Sequence, residues 1–263
     1  LFRSKTNLCI WVISLCPFEK VEVCVKLTKI AMIIACGRNQ KLLDLIKQII
    51  STKSEDILLD CMYLFDDKLK MCNGCAQCFI DGNCHIDKSD NMNEYKNRMM
   101  QADIILLLTT SYLGNISGIS KAFIERLSGW FQLFILLGKR GVLLVVNDNY
   151  SSQLPVLYLK NIFYHLGIDV ILSKSFSIKT FEDYCQTDLW KEITNIYYKN
   201  EIISEYLNEI FVKVKGIILS MDRNNYKKIW WEQREMIDCK SIYDVFAYSA
   251  RTAHPFQRNG APF

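Results

Sequence analysis

The stretch "ADIILLLTTSYLGNISGISKAFIERL", residues 102–127, decides the fold. Residues 103–110 form a continuous apolar run, which is typical of a parallel strand buried on both faces. A short loop follows. The apolar residues after Ser117 recur at helical spacing, and Ser117 itself is a candidate N-cap. The stretch therefore predicts a buried strand, a loop and a helix, in that order.

The same alternation continues in both directions from this stretch. The remaining apolar runs predict strands at 29–36, 56–65, 140–148 and 168–176. Helical spacing predicts helices at 40–50, 92–102, 117–134 and 154–167. Strands that alternate with helices indicate a parallel sheet covered by helices on both faces. We therefore expect an α/β fold with a five-stranded parallel sheet.

The two ends of the chain depart from this pattern. Residues 177–263 contain two charged, aromatic-rich stretches with helical character, at 182–212 and 222–248, and we interpret them as a helical C-terminal extension. Residues 1–27 begin with Leu and are interrupted by Pro17. We interpret them as an N-terminal segment of doubtful structure, from an alternative start codon or an overextended reading frame.

Composition excludes several classes of protein. The net charge of +4 comes from 32 basic and 28 acidic residues without a basic stripe, so nucleic acid is not an expected partner. No apolar run reaches the roughly 20 residues that cross a bilayer, so we expect no membrane span. The 11 cysteines are an odd number and lack the spacing of a disulfide framework, which favours a reducing cytoplasm.

A cysteine-rich segment follows the second predicted strand: "MCNGCAQCFIDGNCHIDKSDN", residues 71–91. Its four cysteines are Cys72, Cys75, Cys78 and Cys84. Three cysteines at intervals of three with one further cysteine are typical of iron–sulfur ligation by thiolates. Zinc is an alternative, although a second separated knuckle is missing and His85 is the only nearby substitute ligand. Redox-active or structural thiols are the remaining interpretation.

The order of these parts resembles the flavodoxin-like NAD(P)H-dependent FMN reductases, and within them the iron–sulfur flavoproteins. The resemblance rests on "CNGCAQCFIDGNC" after the second strand, on the stretch around the third strand and on the loop after the fourth. It implies a flavodoxin-like three-layer sandwich over residues 28–176. It also implies a [4Fe–4S] cluster held by the four cysteines beside FMN.

The resemblance also assigns flavin contacts by position. The family has a Thr-Pro-x-Tyr-x-Gly-Asn type segment after the third strand, and Ser replaces its Pro in this chain. The matching residues here are Thr110, Ser111, Tyr112, Leu113, Gly114 and Asn115, followed by Ser117. After the fourth strand the family has a Gly-rich loop, which corresponds here to Asn147 and Asp148. We expect these residues to border the flavin ring.

The phosphate-binding loop after the first strand departs most from the family. The family surrounds the FMN phosphate with hydroxyl side chains and backbone N–H groups on a longer loop. The corresponding residues here are Cys36, Gly37, Arg38, Asn39, Gln40 and Lys41. The hydroxyls are missing, but a helix N-terminus with Arg38 and Lys41 still favours an anion.

The resemblance implies an FMN-dependent oxidoreductase that passes electrons between a reduced carrier and an acceptor. NAD(P)H is the expected donor and a one-electron carrier such as ferredoxin, or a small molecule, the acceptor. No side chain is needed as acid or base, since the flavin carries the chemistry. A homodimer or homotetramer is expected. The alternatives are an NAD(P)H-dependent FMN or quinone reductase without a cluster, and a flavin-free binding protein.

Overall fold

The computed structural model describes residues 7–11, 22–37, 39–67, 69–147, 152–187, 189–199 and 203–252. Two antiparallel strands, β1 (Asn7–Trp11) and β2 (Glu22–Lys26), form a small sheet of their own. The strands of the main sheet are β3 (Thr28–Ala35), β4 (Ile57–Tyr63), β5 (Ile104–Tyr112), β6 (Asn115–Ile116), β7 (Arg140–Asn147) and β8 (Asp169–Ser177).

Helices flank both faces of this sheet. The first four are α1 (Gln40–Ser51), α2 (Met92–Gln101), α3 (Gly118–Arg126) and α4 (Leu154–Leu166). The C-terminal part adds α5 (Ile178–Cys185), α6 (Leu189–Lys199), α7 (Glu205–Leu219), α8 (Tyr226–Gln233) and α9 (Ile242–Thr252). Within the described ranges, no helix has the length and apolar character needed to span a membrane.

The strand order of the main sheet is β4-β3-β5-β7-β8, and all neighbouring pairs in this order are parallel. The short strand β6 turns back antiparallel onto β5. This is the flavodoxin-like order, in which the direction of strand addition reverses between β3 and β5. The predicted three-layer α/β sandwich with five parallel strands is confirmed. Ligands of such sheets bind outside the carboxyl ends of the strands at that reversal.

Each face of the sheet has its own apolar core, because successive strand residues point to opposite faces. On β5, Leu106 and Leu108 belong to the core with α1, α5 and α6, whereas Ile105 and Leu107 belong to the core with the other helices. The predicted helical extension is confirmed, and its helices contribute to both cores. The boundary at residue 176 stays a prediction.

The prediction of a single helix over residues 117–134 is wrong after Arg126. The α-helix α3 ends there, and a 3-10 turn follows at Ser128–Trp130. Residues 131–138 then form a series of turns whose apolar side chains are largely buried. The helical spacing of the sequence therefore reports burial in this segment, and not a continuous helix.

Partners far along the chain explain why these turns replace the helix. The indole N–H of Trp230 donates to the carbonyl of Leu133 at 2.9 Å, and that of Trp231 donates to the carbonyl of Gln132 at 2.8 Å. The Gln132 N–H in turn donates to the His165 carbonyl at 3.0 Å. Buried backbone groups need such partners. Tertiary contacts therefore supply the hydrogen bonds that a helix would have supplied locally.

Candidate functional site

A hairpin loop, residues 110–117, projects from the carboxyl edge of β5. Tyr112 pairs with Asn115 across a two-residue turn made by Leu113 and Gly114. Both turn residues have positive φ, 52° and 77°. Two-residue hairpin turns with positive φ at both residues match the twist of the two strands that they connect. The Leu113 side chain is fully exposed, and Tyr112 is half-exposed. Local backbone geometry therefore places an apolar tip and an aromatic ring at the edge of the sheet.

The hairpin loop meets the loop that follows β3. A Cβ atom added to Gly37 would lie 3.9 Å from the Tyr112 hydroxyl. Before it, Cys36 is buried with its Sγ 3.7 Å from the Leu108 carbonyl, and burial raises the pKa of its thiol to about 12. This cysteine is therefore an inert packing group. The two loops therefore meet at the reversal of strand order, where sheets of this kind have their ligand-binding crevice.

Thr110 presents an unused polar atom at this crevice. It is buried, and its Oγ1 has no hydrogen-bond partner in the described part of the chain. It lies on the same face of β5 as Leu108, the face covered by α1. Buried hydroxyl groups almost always have a partner, so an orphan deserves an explanation. A bound molecule in the crevice would supply one.

Thr109 and Ser117 differ from Thr110 because their hydroxyls belong to the scaffold. The Ser117 hydroxyl donates to the Ala35 carbonyl at 3.1 Å and caps α3 at the Ser120 N–H, which confirms the predicted N-cap. Thr109 Oγ1 lies 3.4 Å from the same carbonyl and contacts Ser120. These hydroxyls bind the start of α3 to the end of β3.

The start of α1 lies beside the crevice. The Asn39 side chain accepts the Leu42 N–H at 3.1 Å, whereas the N–H groups of Gln40 and Lys41 belong to the first helical turn, which lacks intrahelical acceptors. The Lys41 amine forms a half-exposed ion pair with Glu182 of α5 at 2.6 Å. Its charge is therefore partly neutralised.

Two other predicted contacts, Ser111 and Asn147, lie at the carboxyl ends of β5 and β7. Ser111 is buried between β6 and β7, opposite Ile116 and Asn147. The Asn147 amide donates to Ser175 Oγ at 2.9 Å and to the Phe176 carbonyl at 3.2 Å, which binds the end of β7 to β8. Arg38 and Asp148, also predicted contacts, lie outside the described residues.

The cysteine loop, residues 71–84, follows β4 near the same edge of the sheet. Positive φ angles at Gly74, Ala76 and Gly82 curl it. Burial raises the pKa of Cys78, and the neighbouring thiols of the other three cysteines raise it further. The four thiols are therefore close enough to influence one another, and their role as cluster ligands stays a prediction.

Two polar contacts lie close to these sulfur atoms. The Gly74 N–H donates to Cys72 Sγ at 3.4 Å, and Cys75 Sγ lies 3.6 Å from His85 Nδ1. Over the described ranges, no three His, Cys, Asp or Glu side chains form a group that could hold a metal ion. The thiols are therefore neighbours without being arranged as ready-made ligands.

Arg126 closes the base of the cysteine loop. Its side chain is completely buried and donates to the Lys70 carbonyl at 2.9 Å, to Asp90 at 2.7 Å and to Asp87 at 2.5 Å. Lys96 donates to the other oxygen of Asp87 at 2.5 Å. Burial alone would raise the pKa of Asp90, but hydrogen bonds from Arg126 and the Lys70 N–H outweigh it and lower that pKa. One buried guanidinium therefore joins both ends of the loop.

Sequence reasoning missed this ion network. A signal was present, since Arg126 follows Ala122 and Phe123 at helical spacing and so lies on the apolar face of α3. A charged residue on such a face needs buried partners of opposite charge. The pattern could have predicted a buried pair but not which carboxylates complete it.

The C-terminal extension borders the cysteine loop from outside. A Cβ atom added to Gly129 would lie 2.3 Å from the Gly82 carbonyl oxygen and 3.3 Å from the Cys78 Cβ, so the loop packs closely on the turn after α3. The Tyr226 hydroxyl of α8 donates to the Gly129 carbonyl at 3.2 Å. Burial raises the pKa of Tyr226, and the nearby Cys78 raises it further. Tyr226 of the extension thus lies near Cys78.

The chain is similar to proteins of known family. The family described as NADPH-dependent FMN reductase matches residues 28–183, more than half of the chain. An iron-sulfur flavoprotein of Archaeoglobus fulgidus is 35% identical over 65 residues, which cover 25% of this chain and 31% of that protein. A second iron-sulfur flavoprotein of the same organism is 29% identical over 85 residues, 32% of this chain and 38% of that protein. The chain therefore spans about a third of the length of these curated relatives.

Solved structures show weaker similarity. The apo form of an NADH:FMN oxidoreductase aligns with 65% of this chain and 87% of its own, at 17% identity and a TM-score of 0.44. An FMN-dependent NADH-azoreductase from Bacillus anthracis, in complex with FMN, aligns with 65% of this chain and 95% of its own, at 13% identity and a TM-score of 0.41.

Proposed function

Because the chain belongs to the NADPH-dependent FMN reductase family, we propose that it is an FMN-dependent oxidoreductase that also holds a [4Fe–4S] cluster on its cysteine loop. It passes electrons between a reduced carrier and an acceptor. NAD(P)H is the proposed donor, and a one-electron carrier such as ferredoxin, or a small molecule, is the acceptor. The observation that carries the proposal is that Cys72, Cys75, Cys78 and Cys84 lie on one loop, close enough for the other three thiols to raise the pKa of Cys78.

The donor set fits a cluster, because thiolates are the ligands of iron–sulfur centres. The Gly74 N–H already donates to one sulfur, as hydrogen bonds to cluster thiolates do. Gly74 and Gly82 leave the backbone free to draw the four sulfurs closer when ligands are needed. Arg126 keeps the two ends of the loop together while this happens.

The crevice fits FMN by three features. Thr110 Oγ1 offers a hydrogen bond that nothing in the described chain uses. Tyr112 offers an exposed aromatic face, and Gly37 leaves room below it. The N–H groups at the start of α1 offer an anion site for the phosphate. Bound FMN would supply the transfer of hydride and of single electrons. The remaining positional assignments, including Leu113, Gly114, Asn115, Asn147 and Asp148, stay part of this proposal.

The cluster is tested by metal analysis of protein purified without oxygen. Cys75→Ser should lose iron and acid-labile sulfide together, because one of four ligands is removed. The matched control is Cys239→Ser, which changes a partly buried cysteine far from the loop and should keep both. Iron content that is unchanged in Cys75→Ser contradicts the cluster.

Flavin binding is tested by replacing two adjacent threonines, one expected to affect FMN affinity and the other the stability of the protein. Thr110→Val should weaken FMN about three- to tenfold, the value of one neutral hydrogen bond, without destabilising the apoprotein. Thr109→Val should destabilise the protein, because its hydroxyl contacts the Ala35 carbonyl and Ser120. Fluorescence titration with FMN and thermal melting measure the two effects. An FMN affinity unchanged by Thr110→Val removes Thr110 from the site.

The colour and the iron content of the purified protein also distinguish the proposed function from the two alternative functions. Yellow protein without iron supports an NAD(P)H-dependent FMN or quinone reductase in which the cysteines are free thiols. Colourless protein that fails to bind FMN supports a flavin-free binding member. Eight cysteines of the main sheet, the cysteine loop and the helices are free thiols, which supports the proposed cytoplasmic location.

We also propose that the protein is a homodimer or homotetramer. Exposed apolar side chains occur near the crevice, at Leu113 on the hairpin loop and at Leu154 and Leu157 on α4, which contacts β6. Contiguous exposed apolar surface marks association sites. Sedimentation of the wild type against Leu113→Ser with Leu157→Ser tests the assignment. A monomeric wild type contradicts it.

A further inference from the structure

A second cavity of about 340 Å³ lies at the opposite, amino-terminal edge of the sheet. Gly138 and the starts of β7 and β8 form its floor, and residues of α7 and α9 cover it. Its apolar wall consists of Ile203, Leu207 and Phe246. The cavity is large enough for a small organic molecule. It is separate from the crevice, which lies at the carboxyl ends of the strands.

One pair of opposite charges in this cavity is already complete. Arg140 forms an ion pair with Asp169 across β7 and β8. Asp169 also accepts the Ser204 hydroxyl at 2.6 Å and the Ser204 N–H at 3.2 Å. The Asp169 carboxylate is therefore fully engaged by its present donors.

The amine of Lys139, in contrast, has no ion pair among the residues that the structure describes. Lys139 is 5% exposed and lines the cavity, and its amine forms no hydrogen bond with any described residue either. Burial lowers the pKa of this amine to about 8, against the opposing attraction of Asp103. Asp103 accepts the Lys29 N–H at 2.9 Å. Asp103 attracts the Lys139 amine without forming an ion pair with it, so an anion that enters the cavity would supply the direct partner that the amine lacks among the described residues.

We propose that this cavity binds a small monocarboxylate with an apolar tail, with the carboxylate on the Lys139 amine and the tail against Ile203, Leu207 and Phe246. The shape and charge of the cavity define this class. The Lys139 amine calls for one negative charge, the Tyr243 hydroxyl already donates to the Ile203 carbonyl at 3.3 Å, and the three apolar side chains suit a hydrocarbon tail. The site does not depend on the proposed flavin chemistry.

Calorimetric titration of the full-length protein with hexanoate, and with neutral hexanamide, tests the charge. Wild type should bind hexanoate and prefer it to hexanamide. Lys139→Met should weaken hexanoate about tenfold to a hundredfold, the value of a charge-assisted contact. The matched control is Lys47→Met, which removes an exposed lysine on α1 and should leave the affinity unchanged.

A second variant tests the tail. Phe246→Ala should lower the affinity for hexanoate several-fold. It should leave the affinity for acetate nearly unchanged, because only the longer ligand reaches the apolar wall. Lys139→Met should melt no lower than the wild type, since it replaces an unpaired buried amine by an apolar side chain. Absence of hexanoate binding to the wild type, equal affinity for hexanamide, or equal affinity of Lys139→Met overturns the proposal.

Discussion

The cysteine loop and the hairpin loop leave the same edge of the sheet but are held in different ways. The cysteine loop depends on Arg126, which lies 36 positions beyond Asp90 in the chain. The hairpin loop depends on its own turn at Leu113 and Gly114. One loop is therefore positioned by buried long-range charge and the other by local backbone conformation. The two should respond differently to single substitutions.

The largest effect is expected at the base of the cysteine loop. Arg126→Met leaves Asp90 without its buried cation and Asp87 with Lys96 alone, and breaking a buried pair costs about 3–5 kcal/mol of unfolding free energy. Lys121→Met is the control on the same helix, because its pair with Glu125 at 3.8 Å is half-exposed and contributes at most about 1 kcal/mol. Urea denaturation measures both. Equal losses would mean that the network does not hold the loop.

The next largest effect is expected where the cysteine loop packs on the turn after α3. Gly129→Ala places a Cβ atom 2.3 Å from the Gly82 carbonyl oxygen, and overpacking of this kind costs about 1–3 kcal/mol. The displaced loop should also react faster with a thiol reagent at Cys78. Gly118→Ala, which has open space at its Cβ position, should change neither quantity. Unchanged thiol reactivity in Gly129→Ala would show that the turn does not cover Cys78.

A smaller effect is expected in the hairpin loop. Gly114→Ala meets no steric contact, but its φ of 77° costs an alanine about 1–2 kcal/mol. Gly216→Ala, in α7 with equally open space, should instead stabilise by about 0.5–1 kcal/mol, because alanine favours a helix. Replacement of Gly by Ala is thus expected to destabilise the protein at residue 114 and to stabilise it at residue 216, although neither position is crowded. Melting temperatures that move in the same direction would contradict the local account.

The smallest effect is expected at the tip of the hairpin loop. Leu113 has a positive φ of 52°, a conformation in which Asn is far better tolerated than Leu. Leu113→Asn should therefore stabilise the isolated chain by about 0.5 kcal/mol, as seen by thermal melting at low protein concentration. A loss of stability there would indicate that the Leu113 side chain is packed in an assembly.

The same contrast explains how much could be predicted from the sequence. The strands, their alternation with helices, the Ser117 cap and the placement of the cysteines on one loop depend on neighbouring residues, and these were predictable. The ion network at Arg126 and the turns after it depend on groups far along the chain. The helical spacing at 117–134 indicates which side chains are buried, but it does not indicate which hydrogen bonds the backbone makes. Lys139 was likewise invisible, because only the fold brings α7 and α9 over it.

The packing of α8 against the cysteine loop has a consequence for synthesis of the chain. The four cysteines are translated before Tyr226, which is more than a hundred residues away. At about 5–20 residues per second, the loop remains uncovered for on the order of ten seconds after it is made. Assembly factors therefore have access to these thiols during translation. After release of the completed chain, Tyr226 of the extension lies near Cys78, whereas Cys75 stays exposed.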